Sequence, residues 1–196
     1  MIVKDKIKSI ENKNAILTTE NITAQGISKA DFYKYVKEYG YEKIAHGVYA
    51  RPDILIDESY LLHMRCPRAV FSHDEALYYH RLVDREPMQQ TITIYTGYNT
   101  KRLTESGVKA FTVKKELLEI GKIEVKNSYG NRIPMYDLER TICDLMRSRS
   151  QFEIQDFQTA LKTYIRRTDK DLNRLMRYAE LFHVNNILRK YMEVLL

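Results

Sequence analysis

The chain has 196 residues, 44% of them hydrophobic, enough to bury one large core or two small ones, which excludes a disordered polymer. Its 32 Lys+Arg against 26 Asp+Glu leave a formal charge of +6, which favours an anionic partner without specifying a fold. Cys66 and Cys143 lie far apart and form no CxxC pair, and no signal peptide or long apolar run is present, so a reducing cytoplasm, no structural metal and no membrane span are expected.

In chain order, Ile2, Val3, Ile7 and Ile10 recur at helical spacing, and Thr18 or Thr19 can cap a second helix running towards Gln25. The stretch ITAQGISKADFYKYVKEYG then specifies helix, break, helix. Gly26 can take positive φ without steric cost and turn the chain sharply. Ser28 is placed as an N-cap with Asp31 three residues on, and Ile27 and Phe32 are spaced as a hydrophobic staple. Phe32, Val36 and Tyr39 form the expected buried stripe, which leaves Lys29, Tyr33, Lys34 and Lys37 on a basic, aromatic outer face.

YEKIAHGVYARPD alternates apolar and polar residues around His46-Gly47, the pattern of a two-residue hairpin loop. Helices and hairpin together predict a winged helix-turn-helix, whose second paired helix enters the major groove while the hairpin wing lies on the neighbouring backbone or minor groove. A solvated helix face would carry the same lysines if the helix stood alone. Its neighbours on both sides favour the groove-facing reading. The expected DNA-contacting residues are Thr19, Ser28, Lys29, Tyr33, Lys34 and Lys37, with His46 and Arg51 on or beside the wing as backbone contacts that set orientation.

Charge is spread over the chain, with nine Lys+Arg and seven Asp+Glu in residues 1–56. Pro52 and Pro67 punctuate the next stretch, so the domain boundary is expected near Ile56, dividing the chain into 1–56 and 57–196, with Asp57 to Cys66 as a connecting helix. In the larger part, FSHDEALYYHRL offers Ser72 and Glu75 as a capping box before a helix carrying Ala76, Tyr79 and Leu82. TITIYTGYN alternates as a strand, and KIEVKN and RIPMYD flank SYGN as a hairpin. DLERTICDLMR follows with Asp137 as N-cap and Leu138, Ile142, Leu145 and Met146 on one face. The chain closes in the amphipathic helices QDFQTALKTYIRR, KDLNRLMRYAELF and VNNILRKYMEVLL, giving an α+β domain that ends in a helical bundle.

Glu124-Val125-Lys126 on a strand is the only hint of catalysis, because an ExK pair with an upstream Asp builds one class of magnesium nuclease site. TITIYT and KAFTV supply no such carboxylate. His73 and His80 are too isolated to suggest zinc, and Cys143 reads as a small core residue. No GxxxxGK[ST], GxSxG or HExxH occurs, so neither a catalytic set nor a cofactor is expected. Arg147, Arg149, Lys162, Arg166, Arg167, Arg174 and Arg177 belong to a run, Arg147 to Lys190, with ten Lys+Arg against five Asp+Glu. It reads either as solvated helix surface or as a second phosphate-binding surface. Glu139, Arg140, Asp144 and Arg147 are spaced to pair along one helix and are expected to be half-buried against the sheet.

Through HGVYARPD, FSHDEALYYHRL and RIPMYDLERTICDLMR, in that order, essentially the whole chain resembles the AbiEi family, antitoxins of AbiE type IV toxin–antitoxin systems that give bacteria abortive-infection immunity to phage. The resemblance implies a cytoplasmic repressor that binds inverted repeats in its own promoter through the winged helix, a monomer in solution that pairs on DNA. It also implies that the second domain counters a nucleotidyltransferase-like toxin without a stable complex. A ligand-responsive winged-helix regulator and, more distantly, a metal-dependent nuclease are the other functions the residues allow.

Overall fold

The computed structural model describes residues 3–11, 16–53 and 55–195, so Ile2 of the first expected stripe lies outside the described residues. The chain is α+β, and it divides into two compact units, Met1–Pro67 and Arg68–Leu196. The first unit runs α1 (Val3–Ile10), β1 (Ile16–Thr18), α2 (Thr19–Ala24), α3 (Lys29–Glu38), β2 (Glu42–Ala45), β3 (Val48–Ala50) and α4 (Glu58–Arg65). Its antiparallel sheet has the order β1-β3-β2. Strand β1 is too short to have shown a periodicity in the sequence.

Local chemistry accounts for the α2–α3 turn. Gly26 at φ +75 lets its N–H reach Thr23 O at 2.9 Å while Ile27 N–H reaches Ile22 O at 3.3 Å, the paired bonds of a Schellman stop. Ser28 Oγ accepts from Asp31 N at 3.1 Å, and its hydroxyl donates to the Asp31 carboxylate at 2.7 Å. Ser28→Ala is therefore expected to cost about 1 kcal/mol, read as a lower midpoint in thermal unfolding followed by circular dichroism. Ile7, Ile22, Ile27, Phe32 and Val36 share one core with Tyr35, which takes the buried place expected of Tyr39. Tyr39 is the C-cap residue, 47% exposed, and its ring stacks on Tyr35 from outside at 4.3 Å.

Helix α4, expected as a connector beyond Ile56, belongs to the first unit. Leu61 packs with Ile16, Val48 and Ala50 of the sheet, and Asp57, itself buried, caps the helix by accepting from Tyr60 N at 2.9 Å.

The second unit runs β4 (Val70–Phe71), α5 (Asp74–Tyr79), β5 (Thr91–Tyr95), α6 (Lys101–Glu105), β6 (Lys109–Val113), β7 (Lys122–Lys126), β8 (Arg132–Tyr136), α7 (Leu138–Arg147), α8 (Ile154–Arg166), α9 (Leu172–Leu181) and α10 (Asn185–Leu195). The mixed sheet has the order β6-β5-β4-β8-β7, with β4 parallel to β8, β5 parallel to β6, and the outer β7–β8 hairpin antiparallel. Asp137 caps α7 as its sequence predicts, accepting from Arg140 N at 2.8 Å. The helix is buried from Leu138 to Met146, and Ile142, Leu145 and Met146 join Tyr164, Leu175, Ala179 and Leu188 of the closing helices in one core.

Ser72 does not cap α5. Its hydroxyl lies 2.8 Å from Thr93 Oγ1 on the neighbouring strand and 2.9 Å from His73 Nδ1, and the helix begins after His73 with no side-chain cap. His73 takes φ +52, a costly conformation for a residue with a Cβ, and is held there by Ser148 Oγ at 3.1 Å from Nε2 and by the Phe111 ring stacked at 3.3 Å.

Candidate nucleic-acid interface

The outer face of α3 carries Lys29, Lys34 and Lys37, all exposed, with Tyr33 46% exposed among them. Beside it the hairpin turns through His46-Gly47, with Ala45 opposite Val48 and a register shift that sets Lys43 opposite Tyr49. Between them opens a cleft of about 610 Å³ within this unit. Lys29 and Tyr33 line it from α3, Thr19 and Asn21 from α2, Lys43, His46 and Tyr49 from the hairpin, and Tyr60 and His63 from α4.

The expected contact residues divide into available and engaged groups. Lys29, Tyr33 and His46 meet at the cleft, and Lys34 and Lys37 lie along the same helix outside it. Thr19 lines the cleft, but its N–H and its hydroxyl both donate to Gly47 O, at 2.8 and 3.2 Å, tying the start of α2 to the hairpin tip. The Ser28 hydroxyl is engaged by Asp31. Arg51 is held away from the cleft lining: Nη2 lies 3.4 Å from the Glu11 carboxylate, Nε donates to Tyr41 OH at 3.4 Å, and the guanidinium sits over the Tyr41 ring.

Lys43 is the hairpin cation that lines the cleft, and sequence reasoning passed over it. Counting back from a turn at His46-Gly47 would set Ile44 opposite Tyr49; the register shift between Lys43 and Ala45 brings Lys43 there instead, and nothing in the sequence signals that shift.

In the second unit the basic run divides into ion-paired and unpaired residues. Arg147 bonds Asp144 at 3.2 Å, and Arg167 grips Asp169 with two nitrogens while donating to His80 O at 2.7 Å. Arg174 lies within 3.9 Å of the carboxylates of Asp137, Glu139 and Asp171. Arg149, Lys162, Arg166 and Arg177 remain exposed, without an ion pair among the described residues. Glu124 of the ExK pair faces Arg132 across the β7–β8 hairpin at 3.3 Å, and among the described residues no group of His, Cys, Asp and Glu converges as a metal site.

Burial shifts titrating groups in and beside α5, namely His73, Asp74, Glu75 and His80. Burial pushes the His73 imidazole down to about 4. Burial, with Glu86 and Asp74 adding like-charge repulsion, pushes the Glu75 carboxyl up to about 7 from an ordinary 4.5. Between those two values the folded chain keeps a proton on Glu75 that the unfolded chain has lost, so this contribution is full below pH 4.5 and gone once the pH has risen through 7. Glu75→Gln is expected to match the wild type below that window and to exceed it above the window by roughly 1–3 kcal/mol, measured by urea unfolding across pH.

Among the described residues no helix is long and apolar enough to cross a membrane. No protein-family model matches the sequence, and a search of curated proteins finds no match. The structure is similar to the crystal structure of the RV2827C protein from Mycobacterium tuberculosis, with a TM-score of 0.60 and 13% sequence identity over 89% of this chain and 70% of that one. At that identity the likeness carries the α+β fold and nothing further.

Proposed function

We propose that the chain is a DNA-binding repressor whose first unit is a winged helix-turn-helix, with α3 as the groove-entering helix and the β2–β3 hairpin as the wing. The observation that carries this reading is the pairing of the basic outer face of α3 with Lys43 and His46 of the hairpin around one cleft. The element order α1-β1-α2-α3-β2-β3, with β3 central in the sheet, supports it. Fluorescence anisotropy should detect tighter binding to the duplex upstream of the chain's own gene than to a shuffled duplex, with affinity falling steeply as salt rises. Equal affinity for both duplexes would remove the repressor; no binding to either would remove the DNA reading altogether.

From the resemblance to AbiEi we further propose that the chain is the antitoxin of a type IV pair, its second unit countering a nucleotidyltransferase-like toxin without forming a stable complex. Cells expressing a neighbouring nucleotidyltransferase gene from an independent promoter should be rescued by the full chain, with no co-purification of the two proteins. Growth arrest despite expression of the folded chain would sink this role.

A ligand-sensing regulator is the second reading. It is favoured by an apolar recess of about 270 Å³ in the second unit, lined by Leu172, Leu175, Met176 and Met192 with Arg189 and Glu193. Such a regulator would release its operator on adding a small molecule and would rescue no cells.

A further inference from the structure

The cleft beside α3 is built for more than phosphate. Rings line it from separate elements: Tyr33 of α3 and Tyr49 of β3, with centroids 6.2 Å apart, and Tyr60 of α4, 6.4 Å from the His63 ring. Lys29 and Lys43 line the same space, and neither has an ion-pair partner among the described residues. Duplex backbone is met by cations and hydrogen-bond donors, a tyrosine hydroxyl among them, but makes no use of a ring face. Unpaired bases are held differently, with the base on an aromatic face and the backbone phosphate on a neighbouring cation. A volume of about 610 Å³ lies inside the span of small-ligand sites, about 300–1,000 Å³.

We infer that the cleft takes a single unpaired nucleotide unit, its base against the tyrosine rings and its phosphate on Lys29 and Lys43. The inference rests on reading the α3 face as a nucleic-acid surface and names the unit which that surface admits. The same chemistry is offered by a free nucleoside monophosphate and by one nucleotide of an unpaired strand.

Isothermal titration calorimetry on the full chain tests this with guanosine 5′-monophosphate, a short oligodeoxythymidine, inorganic phosphate and the operator duplex. Saturable binding of the monophosphate, the single strand or both is expected, with inorganic phosphate at least about tenfold weaker, because it lacks the base and its stacking. Whichever of the two nucleotide probes binds more tightly identifies the source. Tyr33→Ala should weaken nucleotide binding by about tenfold or more, the scale of one missing base–aromatic stack, while Tyr33→Phe should restore it. Lys43→Ala should weaken nucleotide and phosphate alike.

Phosphate binding as tightly as the nucleotides, or a folded Tyr33→Ala chain with unchanged nucleotide affinity, overturns the inference. Duplex binding without any nucleotide binding also overturns it and leaves the repressor standing. Nucleotide binding without duplex binding upholds it and removes the repressor.

Discussion

Replacing Arg140 by alanine is expected to remove about 3–5 kcal/mol of folding stability, a large share of the 5–15 kcal/mol typical of a natural domain. The guanidinium is fully buried and holds three partners: Asp144 Oδ2 at 3.1 Å, Leu117 O at 3.0 Å and Ile120 O at 2.7 Å. The rings of Tyr136 and Phe182 each lie 3.9 Å from its central carbon. Truncation leaves the Asp144 carboxylate in the core with only the partly exposed Arg147 to answer it, takes the guanidinium from Ile120 O, and leaves Leu117 O with the Ile120 N–H at 3.4 Å. Lysine keeps the charge but cannot reproduce the planar fork or the double stack, so Arg140→Lys should recover little of the loss.

Gly121 presses on the same site. At φ +76, a Cβ there would stand 2.5 Å from Arg140 Cβ, so Gly121→Ala should destabilise the unit by a separate route. Urea unfolding followed by circular dichroism reads all three variants. A loss under 1 kcal/mol for Arg140→Ala would mean that the network is a passenger in the core. Failure of any such variant to protect cells says nothing about antitoxin chemistry until its fold has been checked.

The second large effect is expected on DNA. Changing Lys29, Lys34 and Lys37 together to alanine should flatten the log–log salt dependence of binding by about 0.9 for each phosphate no longer neutralised, and weaken operator and non-specific duplex to a similar degree. All three side chains are exposed, so the fold should survive. Lys43→Ala should weaken binding more than Arg51→Ala, because Arg51 is already held by Glu11 and Tyr41. Unchanged affinity in the triple variant would exclude the α3 face. If the antitoxin proposal is right, the same variant loses repression and still protects cells from a separately expressed toxin.

What was legible in the sequence was mostly local. The Ser28 and Asp137 caps, the Gly26 stop and the hairpin at His46-Gly47 each depend on residues within about one turn of each other, and each is found where it was expected. Ser72 failed as a cap because a strand many residues downstream supplies Thr93 to its hydroxyl. Arg51 looked available because its partner Glu11 is 40 residues away in sequence. Tyr39 lies outside the core expected to hold it because helical spacing also admits Tyr35, which is buried there beside Tyr41 with ring centroids 6.0 Å apart. The basic C-terminal run was visible as charge, and the Asp144–Arg147 pairing along α7 was visible as spacing, but the reach of Arg174 to Asp137 and Glu139 follows from the packing of α7 against α9.

The double donation from Thr19 to Gly47 O has a kinetic meaning. A hairpin tip that hangs free must be ordered on each encounter, and that forfeited freedom is subtracted from affinity. Here the tip is fastened to the first turn of α2 before any partner arrives, so on the DNA-binding proposal hairpin and helix pair would meet the duplex as one preformed surface. Contacts made by either then lengthen the residence of both, and selection on this interface would act mainly through dissociation rates.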